Sequence, residues 1–185
     1  MPPANIRAEP LTVEDYRATP EGTRYQLVEG DLYLMSPAPN LFHQDITGRI
    51  YRLLSAHAEK HRLGRVFIAP TDVYLSEHDV VQPDVFFVAA ANDSILADDG
   101  AHGPPDLVVE VLSPKSATLE KTKLRIYARY GVKEHWLIDP TLRQIHLYDF
   151  ARHPTKAVRL IDEDESFSSP LLPELTIAAA DLFRR

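Results

Sequence analysis

Two carboxylates and one lysine stand out because each interrupts a run of residues that is otherwise apolar. In Pro105-Asp106-Leu107-Val108-Val109-Glu110-Val111-Leu112, an extended chain puts Leu107, Val109 and Val111 on one face and Val108 and Leu112 on the other, with Glu110. A strand that is apolar on both faces is normally central and covered on both sides. An ionised carboxylate there is costly unless a metal, a paired cation or a hydrogen-bond network compensates it. The helix expected next, about 117–131, carries Leu119, Ile126, Tyr127 and Tyr130 as one apolar stripe when turned at about 100° per residue. Lys123 falls in the middle of that stripe and Lys121 points to the opposite side. Glu110 on the strand and Lys123 on the inner face of the helix should therefore approach each other.

Asp84 is the second carboxylate, in Val80-Val81-Gln82-Pro83-Asp84-Val85-Phe86-Phe87-Val88. Alternation sets Gln82, Asp84 and Phe86 on one face and Val81, Val85 and Phe87 on the other. The plainer reading is an edge strand whose Asp caps a neighbouring loop, since Pro83 suits an edge or a bulge. The chemical reading is that two acids project from strands lying side by side. Such an oxygen-rich pair suits Mg²⁺ or Mn²⁺. Zinc is disfavoured, because the chain has no cysteine and no two histidines sit beside these acids. A hard divalent ion next to a lysine suits phosphodiester hydrolysis: the metal polarises the phosphate and supplies hydroxide, and Lys123 stabilises developing charge.

The elements that would hold these groups follow from the rest of the chain. Thr12 to Asp15 has the form of a capping box opening a short helix that Pro20 and Gly22 stop. Arg24 to Met35 reads as a hairpin turning at Gly30, and Ser36 to Asn40 as a loop. Phe42, Ile46, Ile50, Leu53 and Leu54 recur at helical spacing from Leu41 to about Arg62, with Gly64 ending that helix. Arg65 to Leu75 and Val80 to Val88 look like a second hairpin. Ala89 to Pro105 reads as a polar loop holding one turn of helix. After the central strand and its helix come a strand from Lys133 to Pro140, an antiparallel pair (144–150 with 157–161), and an apolar tail, Leu175 to Phe183, that packs back. The expectation is an α/β domain on a mixed β-sheet flanked by helices, with residues 1–22 a lead-in carrying the short helix and 23–185 the main domain.

The order Gln82-Pro83-Asp84, then Val108-Val109-Glu110-Val111-Leu112-Ser113-Pro114, then Lys123 and Tyr127, then Gly131-Val132-Lys133-Glu134-His135-Trp136-Leu137-Ile138-Asp139-Pro140 resembles the Uma-type restriction-endonuclease-like proteins of the PD-(D/E)XK nuclease superfamily. The resemblance runs from about Leu11 to Phe183. It implies a restriction-endonuclease-like fold with N-terminal and C-terminal β-hairpins, a metal-dependent endonuclease acting on DNA, and Mg²⁺ or Mn²⁺ as cofactor. It implies Asp84 and Glu110 as acidic metal ligands, the Val111 carbonyl as a third, and Lys123 as the lysine that has moved onto the helix, since the superfamily's usual lysine position holds Leu112. A homodimer follows by analogy with the superfamily alone. Two departures matter: Gln26 stands where many relatives have Glu, and Leu119 where relatives often have Asp.

Six other residues, weighed the same way, come out less sharply. His43, at the start of the long helix, either approaches the metal or a phosphate, or is a partly buried histidine bonded to backbone. Glu29 beside Gly30 reads as turn chemistry. His57 and His61 are four apart, but Glu59 is misplaced for the His-Glu-x-x-His pattern. Lys121 and Arg125 read as a solvated face.

Composition sets the outer limits. At 185 residues, 44% hydrophobic and 25% charged, the chain suits one globular domain. It has no apolar run of membrane length, and Met1 to Arg7 lacks a signal peptide's apolar core, so a cytoplasmic location is expected. A formal net charge of −7 counts against non-specific coating of duplex nucleic acid, though not against a local basic cleft. The competing expectation is a catalytically silent oligomeric binding or assembly module that retains the fold and its buried acid–lysine cluster.

Overall fold

Thr12 opens the first helix, α1 (Val13–Arg17), with a closed capping box in the computed structural model, which describes residues 9–35, 40–113 and 117–184. The Thr12 backbone N–H donates to Asp15 Oδ2 at 2.8 Å, and the Asp15 N–H returns to the Thr12 hydroxyl at 3.5 Å. The first hairpin is β1 (Tyr25–Val28) with β2 (Asp31–Leu34). Its turn residues Glu29 and Gly30 have φ of 51° and 79°, the paired positive values of a tight type I′ connection. Most of the loop expected before the long helix, residues 36–39, lies outside the described residues, as does Pro114.

The long helix, α2 (Leu41–His61), is capped by the Asn40 side chain, which accepts from the His43 N–H at 2.9 Å. It ends on Arg62, in the left-handed region at φ 54°, and not on Gly64. Gly64 instead opens β3 (Gly64–Ile68), where a Cβ would lie 2.1 Å from the Val88 carbonyl oxygen. Close approach of two backbones is what requires the glycine there.

The second hairpin is divided. After β3 come β4 (Val73–Ser76), β5 (Asp79–Val81) and β6 (Val85–Ala89). The outer pieces, β3 and β6, pair in one sheet, and the inner pieces, β4 and β5, pair in another. Pro70 and Pro83, which have no N–H to give a ladder, lie in the two breaks. The segment expected as a loop holds a 3₁₀ turn (Ala90–Ile95) and also a small hairpin, β7 (Leu96–Ala97) with β8 (Gly100–His102). Two- and three-residue strands are too short for alternation to reveal them.

The central unit is β9 (Leu107–Val111), α3 (Ala117–Tyr130) and β10 (Glu134–Asp139), with β9 and β10 parallel. Then follow β11 (Gln144–Asp149) and β12 (Arg159–Asp162), a C-terminal hairpin of β13 (Ser166–Ser169) and β14 (Leu172–Ala178), and α4 (Ala179–Phe183). One six-stranded sheet runs β2-β1-β5-β4-β8-β7 and the other runs β12-β11-β10-β9-β6-β3. In the second, β9 is central and buried at every position. Leu107, Val109 and Val111 pack on one face with Ile46, Ile50 and Leu54 of α2 and Leu182 and Phe183 of α4. Val108 and Phe86 pack on the other with Ile126 and Tyr127 of α3. Each such side chain, fully buried, contributes about 1.5–3 kcal/mol. This two-sided cover fixes the orientation of Glu110, which shares the Val108 face and therefore meets α3.

Candidate active site

The Val85↔Val109 register between β6 and β9, extended by one residue, brings Asp84 opposite Glu110. β6 lies between β3 and β9, so Asp84 does not belong to an edge strand and the loop-capping reading is set aside. Pro83 sits in the break just before the strand. The Asp84 carboxylate accepts from the Val111 N–H at 2.8 Å, and the Asp84 N–H donates to Glu110 Oε2 at 3.4 Å.

Lys123 reaches Glu110 as the helical projection requires, its Nζ in contact with Glu110 Oε1. The same oxygen accepts from the Tyr127 hydroxyl at 2.7 Å. Both partners of the ion pair are almost wholly buried, at 2% and 4% exposed. Asp84 at 21% and His43 at 11% are the members that face outward. His43 Nε2 lies 3.0 Å from the Val111 carbonyl oxygen and 3.3 Å from Asp84 Oδ2. Its Nδ1 is 3.4 Å from the Thr47 hydroxyl. The plainer reading of His43, a partly buried histidine bonded to backbone, describes these contacts, and the ring also stands beside Asp84.

Glu120 is the residue that sequence reasoning missed. It is buried, and its Oε1 lies 3.3 Å from Lys123 Nζ, while its Oε2 has no hydrogen-bond partner among the described residues. The signal was available: Glu120 is three residues before Lys123, hence on the same side of α3. Leu119, one residue away, packs against the apolar cluster instead. Gln26, the other departure, accepts from the Gln82 N–H at 3.0 Å and so braces the break that leads to Asp84.

Electrostatics follow from this crowding. Burial, with the charges of Glu120 and Asp84, pushes the Glu110 carboxyl up to about 8 against the pull of Lys123. Burial likewise raises Glu120, again opposed by Lys123. Burial works against the Lys123 ammonium, but Glu110 and Glu120 outweigh it and hold its pKa above the ordinary lysine value. Burial also opposes the His43 charge, and the hydrogen bond and charge of Asp84 overcome it, raising the imidazole. Three carboxylates share one lysine, so the cluster has a surplus of buried negative charge.

The other candidates lie apart from the cluster. His57 and His61 stack at 4.4 Å, and His57 Nε2 sits 2.8 Å from the Pro173 carbonyl oxygen. Glu29 forms its turn and meets Arg129 at 3.1 Å. Lys121 and Arg125 are exposed on the outer face of α3. Among the described residues, no three His, Cys, Asp or Glu side chains converge as a metal-binding group. A Mg²⁺ ion commonly uses one or two carboxylates and fills its remaining positions with water or substrate oxygens. Asp84 and Glu110, all-oxygen donors beside a buried carboxylate oxygen that has no partner among the described residues, fit that requirement.

A mixed sheet between helices, with an acid from each of two neighbouring strands and a lysine from the following helix, defines an α/β protein of nuclease-like fold. The fold matches the crystal structure of a protein described as a "putative nuclease" from Anabaena variabilis, with a TM-score of 0.79 and 22% identity over 94% of this chain and 98% of that one. The chain belongs to the Uma2 family, described as "Putative restriction endonuclease", whose model matches residues 13–180. No curated protein matches it. No helix among the described residues is long and apolar enough to cross a membrane.

Proposed function

We propose that the chain is a metal-dependent nuclease hydrolysing DNA phosphodiester bonds, with Asp84 and Glu110 as the acids that hold Mg²⁺ or Mn²⁺ and Lys123 as the cation beside them. The observation that carries this reading is the approach of Asp84, just before β6, to Glu110 on the neighbouring β9, with Lys123 at Glu110 Oε1, in a pocket whose acids outnumber its bases. Membership of the Uma2 family supports the same direction. A bound divalent ion supplies Lewis-acid polarisation of the phosphate and a water acidic enough to yield hydroxide near neutral pH.

The chain's own residues do the rest. Asp84 is held for its task by the Val111 N–H, which fixes one carboxylate oxygen. Tyr127 fixes Glu110 from the helix side. Lys123 presents a positive charge in a water-poor pocket, where a cation stabilises charge developing on phosphate oxygens more strongly than it would in solvent. His43, at the more open side, is placed to donate to a phosphate oxygen or to a carboxylate.

A catalytically silent module is the competing reading, favoured by one observation: Lys123 and Tyr127 both occupy Glu110 Oε1. Calorimetry with Mg²⁺ and Mn²⁺ separates the two. The nuclease reading expects site-specific binding that Asp84→Asn and Glu110→Gln abolish, and a silent module gives none. A homodimer accords with the nuclease reading, and sedimentation equilibrium of the full chain reads it directly.

A further inference from the structure

We propose that Glu120 is a second seat for Lys123: the lysine passes from Glu110 to Glu120 when a divalent cation occupies the acids of the site. The inference rests on the reading of Asp84 and Glu110 as the cation's ligands. It makes Glu120 a positioning residue that acts through Lys123.

Lys123 lies between two buried carboxylates from different elements. It contacts Glu110 Oε1 on β9 and stands 3.3 Å from Glu120 Oε1 on its own helix. Glu120 Oε2 is buried and has no partner among the described residues, although buried carboxylate oxygens are nearly always bonded. Lys123 carries three N–H donors and already stands 3.3 Å from the other oxygen of the same carboxylate. His43 cannot take that place, because its ring nitrogens are engaged by Val111, Asp84 and Thr47.

Charge makes the exchange favourable in one state only. Without a cation, Glu110 needs Lys123, and the pair closes the site. With a divalent cation on Asp84 and Glu110, an ammonium on the same carboxylate is repelled, and Glu120 is a buried acid already beside it on the helix side. With a cation on the site favouring the ionised acids, and with His43 neutral, three carboxylates and one lysine carry two net negative charges, which one divalent ion balances. Glu120 therefore lowers the cost of freeing Glu110 and keeps Lys123 inside the pocket after the exchange.

The test is Mn²⁺ calorimetry on the full chain in a double-mutant cycle, with urea melts confirming that each variant folds. Wild type is expected to bind one ion, and Asp84→Asn to abolish it. Glu120→Gln should weaken binding about tenfold, because Lys123 then has nowhere to go. Lys123→Met should bind at least as tightly as wild type, since the competitor is gone. In the Lys123→Met background, Glu120→Gln should change Kd by less than about twofold. A tenfold loss that persists in that background makes Glu120 a direct ligand and overturns the exchange. Unchanged binding by Glu120→Gln alone overturns it too, while leaving the metal reading intact. Absence of site-specific binding by wild type removes the metal reading and the exchange together. Should Glu120→Gln fail to fold, Glu120→Asp replaces it and is expected to stay within about threefold of wild type in Kd, since a carboxylate is kept. A tenfold or greater loss in Glu120→Asp overturns the proposal.

Discussion

Tyr127 and Glu110 are joined by a 2.7 Å hydrogen bond from the phenol to Oε1, the oxygen that Lys123 also touches. The bond ties α3 to β9 at one atom. It explains how a carboxylate can sit in the middle of a buried strand: two donors from the same helix, one turn apart, converge on it.

Tyr127→Phe deletes that donor and keeps the ring that packs against Ile126 and Val108. A hydrogen bond contributes about 0.5–1.5 kcal/mol, and about 1.5–3 kcal/mol when its acceptor is charged, so the urea midpoint should fall with an unchanged m-value, most of all above the Glu110 pKa of about 8. An unaltered midpoint would show that the phenol is not supporting Glu110.

His135 makes a pH prediction. It is buried on β10, among the rings of Tyr127, Tyr148 and Phe150, and neither ring nitrogen has a hydrogen-bond partner among the described residues. Burial, with Lys123 nearby, pushes its pKa down from 6.5 to about 3. The folded chain keeps it neutral while the unfolded chain protonates it, so folding stability is lost as pH falls from about 6.5 towards 3. The slope from this one group reaches at most roughly 1.4 kcal/mol per pH unit. His135→Phe should flatten the acid side of a stability-versus-pH curve from urea melts. Parallel curves for the two proteins would contradict the assignment.

Two glycines should respond in opposite directions to the same substitution. Gly64→Ala forces a Cβ against the Val88 carbonyl oxygen at φ 152°, and a loss of roughly 2 kcal/mol or more is expected. Gly48 lies inside α2, where an added Cβ would meet nothing within 4 Å, so Gly48→Ala should stabilise by about 0.5–1 kcal/mol. Thermal melts of both variants check the pair, and a destabilised Gly48→Ala would show that α2 is less regular at that turn than its hydrogen bonding implies.

The features legible in the sequence were those set by local periodicity. Period two gave β9 its two apolar faces, and the helical period put Lys123, not Lys121, against Glu110. The resemblance then placed the fold and its hairpins. What was not legible depended on distant partners. The hairpin over 65–88 is divided between two sheets because its halves find different neighbours, β9 for the outer strands and β1 and β8 for the inner ones. An edge strand was the plainer alternative for Asp84 only because Pro83 counts against a central strand, whereas Pro83 occupies the break before it. Glu120 has the spacing that puts it beside Lys123, but a charged residue next to an apolar stripe reads as solvated, and its burial shows only in the packed helix.

The most direct measurement is cleavage of supercoiled plasmid, linear duplex and single-stranded DNA in Mg²⁺ or Mn²⁺ by wild type, Asp84→Ala and Lys123→Ala, with chelator controls. Wild type should cleave only with metal, and each variant should be slower by about 10²–10³-fold or more while remaining folded. Cleavage at equal rates by all three, or none by wild type on any DNA form, would contradict catalysis by Asp84, Glu110 and Lys123.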